Sequence, residues 1–415
     1  MQLTVEEERM LDGRFGYPVQ KAMEILVQLG HIYGAERMIK LSNVHMPGSS
    51  VVVAGEAGTN FVEHMAQLDG HFTGLTTLNP AAVDFSSWSE LGYPEAAWQL
   101  QTRLTGAYCR MGALPCHTCV PYLIGNAPRI GEHVAWGESS AIAYVNSVLG
   151  ARTNREGGPS ALAAALAGRV PAYGYHLKEN RYGQIRIDVN TDLAGVTDYG
   201  SLGYWAGGIA GSKVPVFTGI PVNVTQDELK MLSAALASSG AVALFHVVGV
   251  TPEAPDLQAA FGGRKPEQVL AFDSRQLQES WSQLNKHQGQ EISLVAIGCP
   301  HASIREIGTV ARFLSGKKIS PRLELWITTA LPIKALAVRC GYQQPIEDAG
   351  GRLVIDTCPI LSPMADVARE KGYTALVTNS AKLAHYAPGQ WGLPTYYGSL
   401  QACLNAALNG NFQQD

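Results

Sequence analysis

From about residue 226 to the C-terminus the chain alternates two kinds of segment, and that alternation limits its fold more than any other feature. Short apolar runs rich in Val, Ile and Leu occupy 241–250, 292–297, 323–328, 353–356 and 375–378. Between them, 276–284, 303–314, 332–339 and 363–371 read as helices. Strands that are apolar on both faces belong in a parallel sheet covered by helices, because only there does neither face meet water. The predicted class is therefore α/β with parallel sheets. In open sheets of this kind ligands bind just outside the carboxyl ends of the strands. Three predicted strands end in unusual chemistry: Gly298-Cys299-Pro300-His301, Thr357-Cys358-Pro359 and Asn379-Ser380-Ala381-Lys382. Order and chemistry alone aim sulfur and polar groups from three strand ends at one crevice.

The first half is less regular. Thr4-Val5-Glu6-Glu7 fits a capping box, with Thr4 as N-cap and Glu7 reaching back. Apolar spacing predicts a helix over 18–29 and another over 93–104, with Pro94 suited to its first turn. Between them, glycine- and proline-punctuated runs such as Met46-Pro47-Gly48-Ser49-Ser50 and Leu78-Asn79-Pro80 suggest small strands feeding loops. Gly131 to Ser147 reads as a loop entering a helix, with Ser139 and Ser140 in the first turn, where free N–H groups bind anions. The polar run Gly150 to Gly158 then suggests either a ligand-facing surface or a solvated cap and turn. The glycines at 207, 208 and 211 are not spaced as a dinucleotide fingerprint and imply close packing or a loop near substrate.

Composition narrows the function. A net charge of -4 on 415 residues gives no electrostatic reason to expect nucleic acid or an anionic membrane as partner. The acidic opening is unlike a signal peptide, and no apolar stretch is long enough to span a bilayer. A soluble, cytoplasmic protein is expected. Its seven cysteines then suit buried thiols or cofactor ligands better than disulfides.

Three of them sit in proline-bounded turns: Cys299 and Cys358 directly before proline, and Cys119 two residues before Pro121. Such turns hold extended backbone and present the thiolate at a loop, and Cys-Pro steps occur in iron–sulfur runs. Three ligands leave a coordination position open for Lewis-acid chemistry. The plainer alternative is three unrelated buried thiols. Cys116-His117-Thr118-Cys119 adds two more: half of a zinc site completed by Cys299 and His301, or a redox pair. Pro121 and Pro128 favour a loop there over the helix start that a redox pair needs. His45, His176 and His301 read as hydrogen-bonded core or rim residues.

Taken together, several blocks resemble the aconitase X catalytic domain. They are Cys119-Val120-Pro121-Tyr122-Leu123, Gly137-Glu138-Ser139-Ser140, Asn146 to Asn154, Ile297 to His301, Asp356-Thr357-Cys358 and Thr378 to Lys382. The resemblance covers nearly the whole chain in the right order. It implies an aconitase-like, multi-lobed catalytic module, with tentative lobes 1–225 and 226–415 and the cluster in the crevice between lobes. It implies an iron–sulfur cluster on Cys119, Cys299 and Cys358, leaving open whether the type is 2Fe-2S, 3Fe-4S or 4Fe-4S. Substrate contacts are implied at Gly48, Ser49, Ser50, Asn79, Pro80, Glu138, Ser139 and Lys382, with Glu138, Ser139 and Lys382 in catalysis. Cys116 falls outside the implied ligand set. The implied reaction is loss of water from a small hydroxy acid. cis-3-Hydroxy-L-proline is preferred over mevalonate 5-phosphate, since no group of Arg or Lys gathers at the implied contacts to meet a dianionic phosphate. A non-catalytic metal-binding α/β protein and a metal-dependent hydrolase are the competing classes. The small swivel domain that aconitase-type enzymes close over the site has no counterpart here, so a separate small subunit is expected as partner, supplying a base that the resemblance implies is a serine.

Overall fold

The computed structural model describes residues 1–286, 289 and 291–414. The alternation beyond residue 226 forms a five-stranded parallel sheet in the order Arg352–Val354, Glu324–Thr328, Leu294–Ile297, Leu376–Thr378, Thr395–Tyr397. Every residue of the central strand Leu294–Ile297 is buried, as its unbroken apolar run requires. Side chains alternate between the two faces. Val295, Ile297, Leu325, Ile327, Leu353 and Val377 pack with residues of the helices Ile304–Leu314 and Leu331–Arg339. Leu294, Ala296, Trp326, Val354 and Leu376 face the other way, into a core that also holds Met23, Leu26, Val44, Met46 and Leu104. The C-terminal sheet therefore shares one core with the N-terminal part of the chain. At about 1.5–3 kcal/mol for each large apolar side chain buried, that shared face holds the two parts together.

The N-terminal part carries a three-stranded parallel sheet, ordered Leu75–Leu78, Asn43–Met46, Ala135–Trp136. An antiparallel pair, Met38–Lys40 with Arg169–Pro171, lies beside it. A third parallel sheet runs His246–Val247, Pro215–Thr218, Ile185–Val189, Gln268–Phe272. The division expected at residues 225 and 226 falls inside this sheet. Of the run at 241–250 only His246–Val247 pairs in a ladder. Among the described residues no helix is long and apolar enough to cross a membrane.

Local signals are met in detail. Thr4 caps Val5–Leu11, its Oγ1 accepting from Glu7 N at 3.3 Å while Glu7 Oε2 accepts from Thr4 N at 2.9 Å. Pro94 precedes the helix Glu95–Arg110 as its cap rather than standing in its first turn. The helix Gly195–Ala210 lies against Gln226–Ser239 closely enough that a Cβ on Gly207 would come 2.3 Å from Ser239 Oγ and 2.7 Å from the Leu236 carbonyl. Gly207 thus serves helix packing, and Gly211, at φ +60°, caps the helix end.

One polar contact predicts a pH response. His133 Nδ1 and His176 Nδ1 are 3.0 Å apart, so one ring must donate and the other accept. Burial, then the Arg152 charge, lowers His133 to about 4; burial, then His133, lowers His176 to about 3. Both folded values lie below the unfolded value near 6.5, so the unfolded chain binds the extra protons as pH falls. The stability from this pair is complete above pH 6.5 and is lost as pH drops toward 4. His133 is half-buried and solvent screens it, so the expected loss between pH 7 and pH 5 is roughly 2–3 kcal/mol. Urea midpoints at the two pH values check this, and His133→Asn should reduce the difference, the buried His45, His117, His246 and His301 keeping a share of it. An unchanged slope in that variant would rule the pair out.

Candidate active site

Two of the parallel sheets aim their carboxyl ends at the same space. Asn43–Met46 runs into Pro47, Leu75–Leu78 into Asn79, and Ala135–Trp136 into Gly137-Glu138-Ser139. From the five-stranded sheet, Leu294–Ile297 leads to Cys299, Arg352–Val354 to Cys358, and Leu376–Thr378 to Lys382. With Cys119 these residues line a cavity of about 350 Å³ between the N-terminal and C-terminal parts. A single sheet edge would offer one wall; two facing edges enclose a site.

The three thiols are buried, with Cys119 5%, Cys299 4% and Cys358 7% exposed. Cys119 Sγ accepts from the His301 backbone N–H at 3.2 Å. Burial, then the Glu138 charge, pushes the Cys119 thiol up. Cys299 and Cys358 hydrogen-bond each other; that bond raises Cys299 and lowers Cys358, so Cys358 is the first of the pair to become thiolate. Among the described residues no three His, Cys, Asp or Glu side chains converge at the spacing of a single metal ion. The thiols instead border a cavity several atoms across. That space and an all-sulfur donor set fit an iron–sulfur cluster, and three protein ligands would leave it a coordination position for substrate.

His301 ties the three cysteine turns together. Besides its bond to Cys119, its Nδ1 lies 3.2 Å from Thr118 Oγ1 and its Nε2 2.8 Å from the Thr357 carbonyl. Both ring nitrogens are thereby engaged, and neither is free to complete a zinc site. Cys116 lies off the cavity, with its Sγ 3.6 Å from the Leu78 carbonyl and its thiol pushed up to about 11, chiefly by burial. Gly298 makes the approach to Cys299 possible: at φ +95° a Cβ would stand 2.2 Å from the Thr328 carbonyl.

Across the cavity Lys382 and Glu138 form a buried ion pair. Lys382 Nζ donates to Glu138 Oε1 at 2.7 Å, to Ser140 Oγ at 2.8 Å and to Ser139 Oγ at 3.3 Å. Glu138 also caps the helix Ser139–Ser147, its Oε2 accepting from Ala141 N at 2.6 Å. Burial pushes Glu138 up, but the Lys382 charge and hydrogen bond and the helix N–H groups outweigh it and hold the carboxyl below its ordinary range. Burial likewise opposes the charge on Lys382, and Glu138 overcomes it, so the ammonium is held above its usual value.

Of the predicted site residues, Cys119, Cys299, Cys358, Asn79, Glu138, Ser139 and Lys382 line the cavity. Gly48, Ser49, Ser50 and Pro80 do not; they stand behind it. Ser49 Oγ donates to the Asn79 carbonyl at 2.6 Å, and Ser50 Oγ to the Leu361 carbonyl at 2.7 Å while capping Val51–Gln67. Their hydroxyls thus hold the wall together. Sequence reasoning missed Tyr386 and Gln390, which line the cavity from the helix Ala381–Trp391. The signal was present: 382, 386 and 390 recur every four residues and share one helix face.

Parallel sheets facing each other across a thiol-lined crevice define an α/β protein with three buried cysteines at its centre. Family models extend this along the chain: aconitase X first domain at residues 1–179, second domain at 183–282 and third domain at 292–409. These spans follow the three-stranded, four-stranded and five-stranded sheets. The phosphomevalonate dehydratase large subunit of Methanothermobacter thermautotrophicus is 47% identical over 393 residues, covering 94% of this chain and 95% of that protein. The cis-3-hydroxy-L-proline dehydratase of Pseudomonas aeruginosa is 38% identical, covering 97% of this chain and 69% of that protein. The crystal structure of Thermococcus kodakaraensis aconitase X in its holo form superposes with a TM-score of 0.87 at 36% identity, covering 99% of this chain and all of that one. The chain belongs to the aconitase X family.

Proposed function

We propose that this hydro-lyase removes water from mevalonate 5-phosphate, with an iron–sulfur cluster on Cys119, Cys299 and Cys358 and a separate small subunit completing the site. The observation that carries the chemistry is the convergence of three buried thiols on one cavity beside Lys382 and Glu138. The relatives support this choice of substrate. Those named phosphomevalonate dehydratase large subunit match at 47%, 41%, 41%, 39% and 36% identity, and those named cis-3-hydroxy-L-proline dehydratase at 38% and 36%. The words "large subunit" in those names support a small-subunit partner.

Bound there, the cluster supplies a Lewis acid for the departing hydroxyl. The chain's own residues bind and orient. Lys382 pairs with a substrate anion while Glu138 keeps the ammonium charged, and Asn79 and Ser139 offer hydrogen bonds from opposite walls. Loss of water needs a base for the proton next to the carboxylate, and among the described residues no histidine lines the cavity. Glu138 is committed to Lys382 and the helix N-terminus. The small subunit therefore brings the base and excludes bulk water.

A second reading, cis-3-hydroxy-L-proline, rests on the cavity's charge. Its lining cation among the described residues, Lys382, is matched by Glu138. An ammonium–carboxylate pair complements a zwitterion better than a phosphate dianion. Turnover assays on both compounds, with the chain alone and co-expressed with a small subunit, test the proposal. Turnover of mevalonate 5-phosphate by the complex alone is expected. Exclusive turnover of hydroxyproline would reverse the substrate, and full rates from the isolated chain would remove the need for a partner.

A further inference from the structure

We propose that His45 is a positioning residue, donating from Nε2 to Asn79 Oδ1 and so fixing the Asn79 amide with its NH2 turned into the crevice toward substrate. This rests on the reading that Asn79 contacts substrate. His45 lies on the strand Asn43–Met46 and Asn79 directly follows Leu75–Leu78, the neighbouring parallel strand. The register pairs His45 with Thr77, and Asn79, two residues on, points to the same side as Thr77. The imidazole therefore has Thr77 on one flank and Asn79 on the other. Its Nδ1 is 2.9 Å from Thr77 Oγ1.

Two buried atoms here, His45 Nε2 and Asn79 Oδ1, each lack a hydrogen-bond partner in the side-chain arrangement of the structure. His45 is 0% exposed and Asn79 3%, so neither atom has bulk water to fall back on. Their pairing answers both vacancies, and an Asn79 side-chain hydrogen bond stands among the influences on the ring. With the Asn79 amide oriented as the structure has it, Oδ1 buried, the tautomer follows from proton counting. Thr77 Oγ1 accepts from Asn126 Nδ2 at 2.9 Å, and its own proton has two destinations: the Val44 carbonyl at 3.3 Å or His45 Nδ1 at 2.9 Å. If it goes to His45 Nδ1, the ring proton sits on Nε2 and reaches Asn79 Oδ1. If it goes to Val44, a bare Nε2 and a carbonyl oxygen face each other inside the protein, two unsatisfied acceptors. The first arrangement links the Asn126 amide N–H, Thr77, His45 and Asn79 as one relay.

His45 is not the missing base. It does not line the cavity, and burial lowers it to about 4, so the ring stays neutral as a fixed donor. A locked amide presents its NH2 in one orientation before substrate arrives, which strengthens binding by avoiding reorganisation.

Paired isosteres give the test. Gln places an amide N–H near the position of Nε2, whereas Asn can replace only the Nδ1 side. In the cluster-loaded complex with its small subunit, His45→Asn should raise KM about tenfold, and His45→Gln should stay within about threefold of the parent. Iron content should be unchanged in both. Asn79→Ala should raise KM at least as far, and adding His45→Asn to it should cause no further rise. A structural role alone would not separate Gln from Asn. Equal KM values for the two His45 variants, or additive effects with Asn79→Ala, would overturn the relay. An unchanged KM in Asn79→Ala would instead remove the substrate contact on which the relay depends, and the inference with it.

Discussion

Replacing Cys119, Cys299 or Cys358 by alanine should abolish turnover and deplete iron and sulfide, while Cys109→Ala, Cys116→Ala, Cys340→Ala and Cys403→Ala should keep both. The separation rests on position. The first three thiols line the cavity, whereas Cys116 is turned toward Leu78 and Cys109 and Cys340 are exposed. On the proposed reading each lining thiolate is a cluster ligand, and alanine removes the sulfur donor that soft iron–sulfur centres favour. Iron analysis and the absorbance of anaerobically purified protein give the readout independently of activity. Full iron in Cys358→Ala would sink the ligand assignment, and lost iron in Cys116→Ala would extend it.

Lys382→Met should be nearly as damaging, by a different route. It leaves Glu138 ionised, 6% exposed and without its main partner. Breaking a buried pair from one side costs about 3–5 kcal/mol, since the remaining charge is stranded in low dielectric. Glu138 should answer by taking a proton, its pKa rising once the dominant lowering influence is gone. Urea unfolding should show the loss of stability, and substrate binding should fail with it. The double variant Lys382→Met/Glu138→Gln should recover much of the stability and none of the activity. If Lys382→Met matched the parent in both respects, the ion pair would have no role.

Much of the C-terminal fold was legible because it is locally determined. Runs such as Leu294-Val295-Ala296-Ile297 are apolar at every position, and a strand buried on both faces has no other composition available to it. Ser303 and Glu306 form a capping box that sets where Ile304–Leu314 begins. The four-stranded sheet was less legible. Ile185–Val189 is only half-buried on alternate residues, and His246–Val247 is two residues long, too short to display a period. The run at 241–250 misled because apolar residues packed in an extended segment resemble a strand whether or not a ladder forms.

The sequence by itself determined the class of fold, the three proline-bounded cysteine turns and the strand-end position of Lys382. All of these depend on backbone restrictions and hydrophobic periods that act within a few residues. Only the tertiary structure decided which polar groups meet. Glu138 and Lys382 are 244 residues apart in the chain and 2.7 Å apart in space. His301 reaches turns 183 residues before it and 56 after it. Ser49 and Ser50 have the chemistry of an anion site, yet their hydroxyls are bound to carbonyls in the wall. A hydrogen bond is directional and short, so its partner is fixed by how two sheets pack, and no local pattern records that.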